Sequence, residues 1–107
     1  MTDSTDIPLD WVVADPGVRR RVLAHNPQAM TVQVAFEKGA EGAVHSHPHI
    51  QTIFVKSGVF DFVVNGVERQ VSAGDSLVIP SQAEHGCRCV EAGELVDSFV
   101  PRRDDFL

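Results

Sequence analysis

Gly39-Ala40-Glu41-Gly42-Ala43-Val44-His45-Ser46-His47-Pro48-His49-Ile50-Gln51 is the stretch on which the reading of the fold turns. His45 and His47 are two apart, so on an extended chain both imidazoles face the same side. Pro48 cannot donate to a strand ladder and lets the chain turn before Gln51. A second segment, with Gly74, Pro80 and His85, supplies another histidine from a distant strand. Convergence of distant residues is what a metal site needs and what a chance histidine cluster lacks. Imidazole nitrogen and amide oxygen suit first-row divalent ions such as nickel, zinc, iron, manganese or cobalt better than magnesium or calcium. His45, His47, Gln51 and His85 are therefore the candidate ligands of one such ion, and they leave positions open in a six-coordinate shell. The other reading of Gln51 is a hydrogen-bonding core amide. His49 shares the parity of the cluster but sits beside Pro48 and reads as a rim residue, and His25 reads as structural.

Outward from this stretch the pattern is that of strands. Met30, Val32, Val34 and Phe36 alternate with Thr31, Gln33 and Glu37, which predicts a half-buried strand with the first set inward. Phe60, Phe62 and Val64 repeat the period before Asn65-Gly66, a hairpin-turn dipeptide, and Val67 to Val71 form the expected return strand. Glycine-bearing turns at Lys38-Gly39, Ser57-Gly58, Ala73-Gly74 and Ala92-Gly93 divide the middle of the chain into short strands, with no ten-residue helical period between them. The fold class is all-β, a sandwich, jelly roll or barrel. Ile7 to Val13 is expected to add an edge strand or to cross to a second subunit.

The 107 residues suffice for a single β domain. Residues 1–6 are expected to be flexible, and the segment 101–107, charged but ending in Phe106 and Leu107, to pack back on the barrel. The composition is 43% hydrophobic without a run near the ~18 apolar residues of a membrane span, so no membrane partner is expected. Met1 to Asp6 lack the basic start and apolar stretch of a secretory signal, which makes a cytoplasmic location the expectation. A net charge of -6 argues against nucleic acid. It also means that an acidic ligand must be attracted locally, by a metal or by single arginines such as Arg103.

Leu95, Asp97 and Phe99 share one face of the last strand, so Asp97 projects inward between apolar side chains, a costly place for a carboxylate without a task or partner. Burial there raises its pKa and fits it for proton transfer, and the competing reading is a structural hydrogen-bond acceptor. A bidentate carboxylate clamp can come from Arg103, from Arg102 or from Arg19-Arg20-Arg21, although the triple run reads first as a solvated face. Cys87 and Cys89 point to the same side of a strand, a poor geometry for a mutual disulfide. They read as reduced core thiols, with soft-metal ligation as the alternative.

The spacing resembles the cupins, whose motifs are G-x5-H-x-H-x3-E-x6-G and G-x5-P-x-G-x2-H-x3-N. Here Gln51 stands for the glutamate, Gln82 for a glycine and Cys89 for the asparagine. The resemblance implies the double-stranded β-helix, the cupin jelly roll. Within that superfamily the chain is similar to the small KdgF-type proteins of pectin and alginate breakdown. The similarity rests on Gly17-Val18 with the following Arg19-Arg20-Arg21, Phe36 to Ala40, His45 to His49, Gln51, Ala73 to Ser76, His85 to Cys87 and Asp97-x-Phe99-x-Pro101-x-Arg103-x-Asp105-Phe106-Leu107. It implies a homodimer that opens 4,5-unsaturated monouronates to linear 4-deoxy-5-keto uronates, an isomerisation. It also implies that His45, His47, Gln51 and His85 hold the metal, Asp97 moves protons, Phe99 shapes the pocket and Arg103 engages the uronate carboxylate. An amide in place of a carboxylate leaves more positive charge on the ion and makes it the stronger Lewis acid. Thr52-Ile53-Phe54 and Lys56-Ser57 depart from the family pattern near the pocket and leave the ligands intact. Two other readings stay open: another metal-dependent cupin enzyme, such as an iron dioxygenase or a sugar isomerase, and a non-catalytic small-ligand-binding module.

Overall fold

Alternating β-branched and aromatic residues favour extended backbone. In the computed structural model, which describes residues 7–107, they form one antiparallel sheet of eight strands. In chain order these are β1 (Val12–Asp15), β2 (Val18–Asn26), β3 (Ala29–Phe36), β4 (Glu41–His45), β5 (Ile50–Val64), β6 (Val67–Ser72), β7 (Ser76–Ile79) and β8 (His85–Val100). The order across the sheet is β1-β2-β3-β8-β5-β6, with β4 also paired to β8 and β7 to β5. This is the expected all-β jelly roll. The expectation for residues 1–6 lies outside the described residues. Among the described residues no helix is long and apolar enough to cross a membrane.

Met30, Val32 and Phe36 are buried as their alternation predicts, and Asn65 and Gly66 turn the β5–β6 hairpin with φ of 47° and 80°. Positive φ at both turn residues matches the right-handed twist of the strands they join. Ile53, Val55, Phe60, Phe62, Val71, Ile79 and Leu95 form the main core with Phe36. Val22, Met30, Val32 and Phe99 form a second cluster, on which Phe106 packs. Full burial stabilises such side chains by roughly 1.5–3 kcal/mol each, so the tail residue Phe106 is anchored to the barrel.

Four expectations need correction. Ser57-Gly58 and Ala92-Gly93 do not end strands, because β5 and β8 run through them and pair along their length with register shifts between Val55 and Phe60. At these points the two backbones cross closely. A side chain at Gly58 would come within 2.6 Å of the Glu91 carbonyl, and one at Gly93 would collide with the backbone of Ser57 and Gly58. The glycines mark a bend of two paired strands, not two turns. Gln33 faces outward yet is only 8% exposed, since it accepts from Arg21 Nε at 2.9 Å and donates to Glu94 at 2.7 Å beneath their long side chains. The N-terminal strand begins at Val12, not Ile7: Pro8 has no N–H to give, and only Leu9 N–H reaches Val22 O, at 2.9 Å. Finally, β alternation divides the Arg19-Arg20-Arg21 run. Arg19 and Arg21 both lie 4.8 Å from the Trp11 ring, whereas Arg20 shares the inner face of β2 with Val18 and Val22.

The bend has a consequence for the site. Gln51 and Val64 mark the two ends of the β5–β8 ladder, opposite Phe99 and His85, and in a straight ladder they would lie roughly 40 Å apart. The bend at Gly58 and Gly93 folds the ladder back on itself and brings both ends to one side of the barrel. Gly93→Ala forces the two strands apart and is expected to cost about 3 kcal/mol or more, measured by urea unfolding. It should lower metal affinity in whatever fraction still folds. A variant as stable as the parent would show that the crossing does not need the missing side chain.

Candidate metal centre

Three strand ends and one loop bring the predicted ligands together. His45 ends β4 directly opposite His85, the first residue of β8. His47 lies in the turn after Ser46, and Gln51 is the second residue of β5. The His45 and His85 rings are 4.4 Å apart between centroids and those of His47 and His85 4.9 Å apart. One ring nitrogen from each histidine falls within 4.8 Å of the others, so the three could hold a metal ion. His47, Gln51 and His85 are buried, while His45 stands at the solvent-exposed mouth instead of pointing fully inward.

Hydrogen bonds fix the orientation of each donor atom. His45 Nδ1 lies 2.8 Å from Ala43 O, His47 Nδ1 3.0 Å from His49 O and His85 Nδ1 2.9 Å from Ala83 O. A carbonyl oxygen can only accept, so each ring carries its proton on Nδ1 and turns its Nε2 lone pair toward the cluster. The Gln51 amide is held in the same sense. Its Nε2 donates to Asp97 Oδ2 at 3.1 Å, which leaves Oε1 3.0 Å from His47 Nε2. Two acceptors facing one another at that distance call for a proton or a metal cation between them. His85 Nε2 is likewise buried without a hydrogen-bond partner. The donor set of three imidazole nitrogens and one amide oxygen thus fits a divalent transition-metal ion.

Burial lowers the pKa of His47 and His85 below that of a free imidazole, which keeps both rings neutral and available as ligands at neutral pH. The same burial acts on Asp97 with the opposite sign. Its carboxyl is pushed up to about 7 by desolvation, against the Gln51 hydrogen bond that works to lower it. Asp97 is 7% exposed between Leu95 and Phe99, and its Oδ1 has no partner among the described residues. A carboxyl poised near neutrality beside a cluster of ligands can both take and return a proton. A cavity of about 100 Å³ runs from His45, Gln51, His85 and Asp97 to Phe36, Phe62 and Leu95, a size suited to part of a single sugar ring. A wider groove of about 430 Å³ lined by Val13, Gly17, Arg19, Phe36 and Glu37 contains none of the ligands.

The remaining candidates separate clearly. The Phe99 ring stacks edge-on against His47, 5.8 Å between centroids, and against Phe106 at 5.7 Å. Arg103 lies over Phe99 and Phe106, its guanidinium carbon 5.1 and 4.3 Å from the ring centroids. One edge of its fork is taken by Asp105, through Nε to Oδ1 at 3.0 Å and Nη2 to Oδ2 at 2.9 Å. Arg102 instead pairs with Asp104 at 2.8 Å and reaches His25 Nδ1 at 3.2 Å, so both residues brace the tail. The His49 ring stacks on His47 and Phe99, with its carbonyl holding His47. Neither cysteine joins the histidines: Cys89 is fully buried in the core, and burial pushes the Cys87 thiol up to about 12, far from a ready thiolate. Gln82, at the motif's glycine position, keeps that position's left-handed backbone with φ of 67° and gives its N–H to His47 O at 2.8 Å. Sequence reading passed over the backbone carbonyls of Ala43, His49 and Ala83, which no side-chain pattern signals.

A family model described as the cupin domain matches residues 32–99. The pectin degradation protein KdgF of Dickeya dadantii (strain 3937) is 35% identical over 99 residues, 91% of this chain and 90% of that protein. Two solved structures are similar throughout. One is an RmlC-like cupin from Shewanella frigidimarina NCIMB 400, with a TM-score of 0.89 and 40% identity over 92% of this chain and 88% of that one. The other is KdgF from Halomonas sp., with a TM-score of 0.86 and 42% identity over 92% of this chain and 91% of that one.

The raised Asp97 pKa has a stability consequence whose sign is fixed. Because the folded-state pKa, about 7, lies above the ordinary value of 3.8, the folded protein binds the extra proton between those values and loses stability as pH rises through them. In chelator-treated protein, Asp97→Asn should therefore gain on the parent by about 3 kcal/mol between pH 5 and pH 8, read from urea melts. A difference independent of pH would mean that Asp97 is ionised throughout.

Proposed function

Because the chain belongs to the cupin family, and within it to the group that includes the KdgF proteins, we propose that it is a metal-dependent isomerase that opens 4,5-unsaturated monouronates to linear 4-deoxy-5-keto uronates. The observation that carries this reading is the buried Asp97 carboxyl, bonded to Gln51 and beside three convergent histidine nitrogens. When bound, a divalent ion held by His45, His47, Gln51 and His85 supplies a Lewis acid for a sugar oxygen. Asp97 takes the proton of the anomeric hydroxyl as the bond from C1 to the ring oxygen breaks and C1 becomes an aldehyde. The electron pair left on the ring oxygen is an enolate of C5 and C4. Return of the proton from Asp97 to C4 completes the 5-ketone, and no electron or atom is gained or lost. Burial favours the protonated form of Asp97 and a cation held by Gln51 would favour the ionised form, and this opposition lets the carboxyl serve in both directions.

Phe99, edge-on to His47, borders the site on the side of the tail and restricts access of water. Arg103, held along one edge by Asp105, keeps its Nη1 and second Nη2 protons for the uronate carboxylate. The reading takes the chain as one cupin domain acting in the cytoplasm as a homodimer. Ile50, Phe54, Val78 and Val100, all exposed on the outer face of β7, β5 and β8, are the apolar surface available to a second copy. Light scattering should return twice the 11.7 kDa chain mass, and a monomer mass would remove the dimer.

Turnover is tested by following the ultraviolet absorbance of 4,5-unsaturated galacturonate. The parent protein should clear it well above the spontaneous rate, and both chelation and His85→Ala should abolish the excess. Asp97→Asn should retain its metal and lose at least about 100-fold in kcat. Absence of any acceleration by metal-loaded parent protein would sink the isomerase reading, and oxygen uptake would then be measured.

A further inference from the structure

Arg20 is the basic side chain whose position the fold leaves unexplained. Its neighbours along the inner face of β2, Val18 and Val22, are each 3% exposed, and burial works against its charge. Arginine does not shed its proton to escape such a place, so it needs an anion or a π face. The π face is present, since the guanidinium carbon lies 4.0 Å from the centroid of the Phe106 ring. No carboxylate among the described residues is bonded to it, and Asp105 and Asp15 favour its charge only from longer range. Among the described residues the arginines that reach a carboxylate are Arg102 and Arg103. Asp105 is the carboxylate that most favours the Arg20 charge, yet both its oxygens are engaged by Arg103. Arg103 in turn adds like charge beside Arg20. Two guanidiniums thus lie against one aromatic ring, and the carboxylate beside them is bonded to Arg103 alone, in a chain whose net charge is -6.

This pair is linked to the metal centre through two stacked aromatic rings. Phe106, which carries both arginines, stacks on Phe99, and Phe99 stacks on His47. We propose that Arg20 is the second arm of a carboxylate seat, which with the free edge of Arg103 takes the substrate's carboxylate and sets the preference for an acid over the uncharged sugar. The identification of that acid rests on the monouronate reading above.

The test compares 4,5-unsaturated galacturonate with its primary amide, in the parent protein and in Arg20→Gln and Arg20→Lys. In both variants the KM for the acid should rise about tenfold while its kcat, the amide kinetics and the metal content stay near parental values. Arg20→Lys keeps a cation over Phe106, and hence the tail in place, but lacks the fork. An acid-to-amide preference equal to the parent's, or an equal loss on both compounds, would overturn the seat and leave Arg20 as a brace for the tail. If the parent protein turns over neither compound, the isomerase reading fails, and the seat is judged by NMR titration with galacturonate. Shifts of both the Arg20 and Arg103 Nε–H signals support it, and shifts at Arg103 alone, or at neither, reject it.

Discussion

The pairing of β5 with β8 is the constraint on which the rest of the structure depends. These strands carry Gln51, His85, Asp97 and Phe99, and their ladder holds those residues at opposite ends. Only the bend at Gly58 and Gly93, where neither backbone tolerates a side chain on the other, lets the ends converge. The bend lies midway along the ladder, next to the buried Val55, Phe60 and Leu95 of the main core. Fold and site are thus one problem of strand geometry, in which hydrophobic burial stabilises the ladder and missing β-carbons decide where it turns.

Burial then sets the chemistry. The same low-dielectric surroundings keep His47 and His85 neutral and push the Asp97 carboxyl up to about 7. The Gln51 amide joins the two halves of the site, accepting nothing from Asp97 and giving it one hydrogen bond, so that its oxygen is left for a cation. A glutamate at that position would place a second carboxylate against Asp97 and could not make this bond. In the proposed reaction the amide therefore serves as ligand and as neutral neighbour of the proton-carrying acid.

Much of this was legible in the sequence, for reasons that can be given residue by residue. Parity alone places Met30, Val32 and Phe36 inside, puts Asp97 between Leu95 and Phe99, and turns the β5–β6 hairpin at Asn65-Gly66. Motif spacing brings His45, His47, Gln51 and His85 together. What was misread depends on contacts distant in the chain. Ser57-Gly58 and Ala92-Gly93 look like turns until the two segments are seen to cross each other. Gln33 is buried by Arg21 and Glu94, which reach it from other strands. Arg20 has the parity of Val18 and Val22, a signal present in the sequence but masked by the basic residues on either side. The carbonyls that orient the histidines belong to backbone, on which composition is silent.

The central claim is that backbone carbonyls and Asp97 present three Nε2 atoms and one amide oxygen to a single ion. Nitrogen-15 NMR of the histidine side chains during titration with zinc tests it most directly. The expected result is that His45, His47 and His85 begin as Nδ1–H tautomers, that their Nε2 resonances shift together and saturate at one ion per chain, and that His25 and His49 do not respond. Coordination through Nδ1, saturation without His85, or a response led by His49 would contradict it.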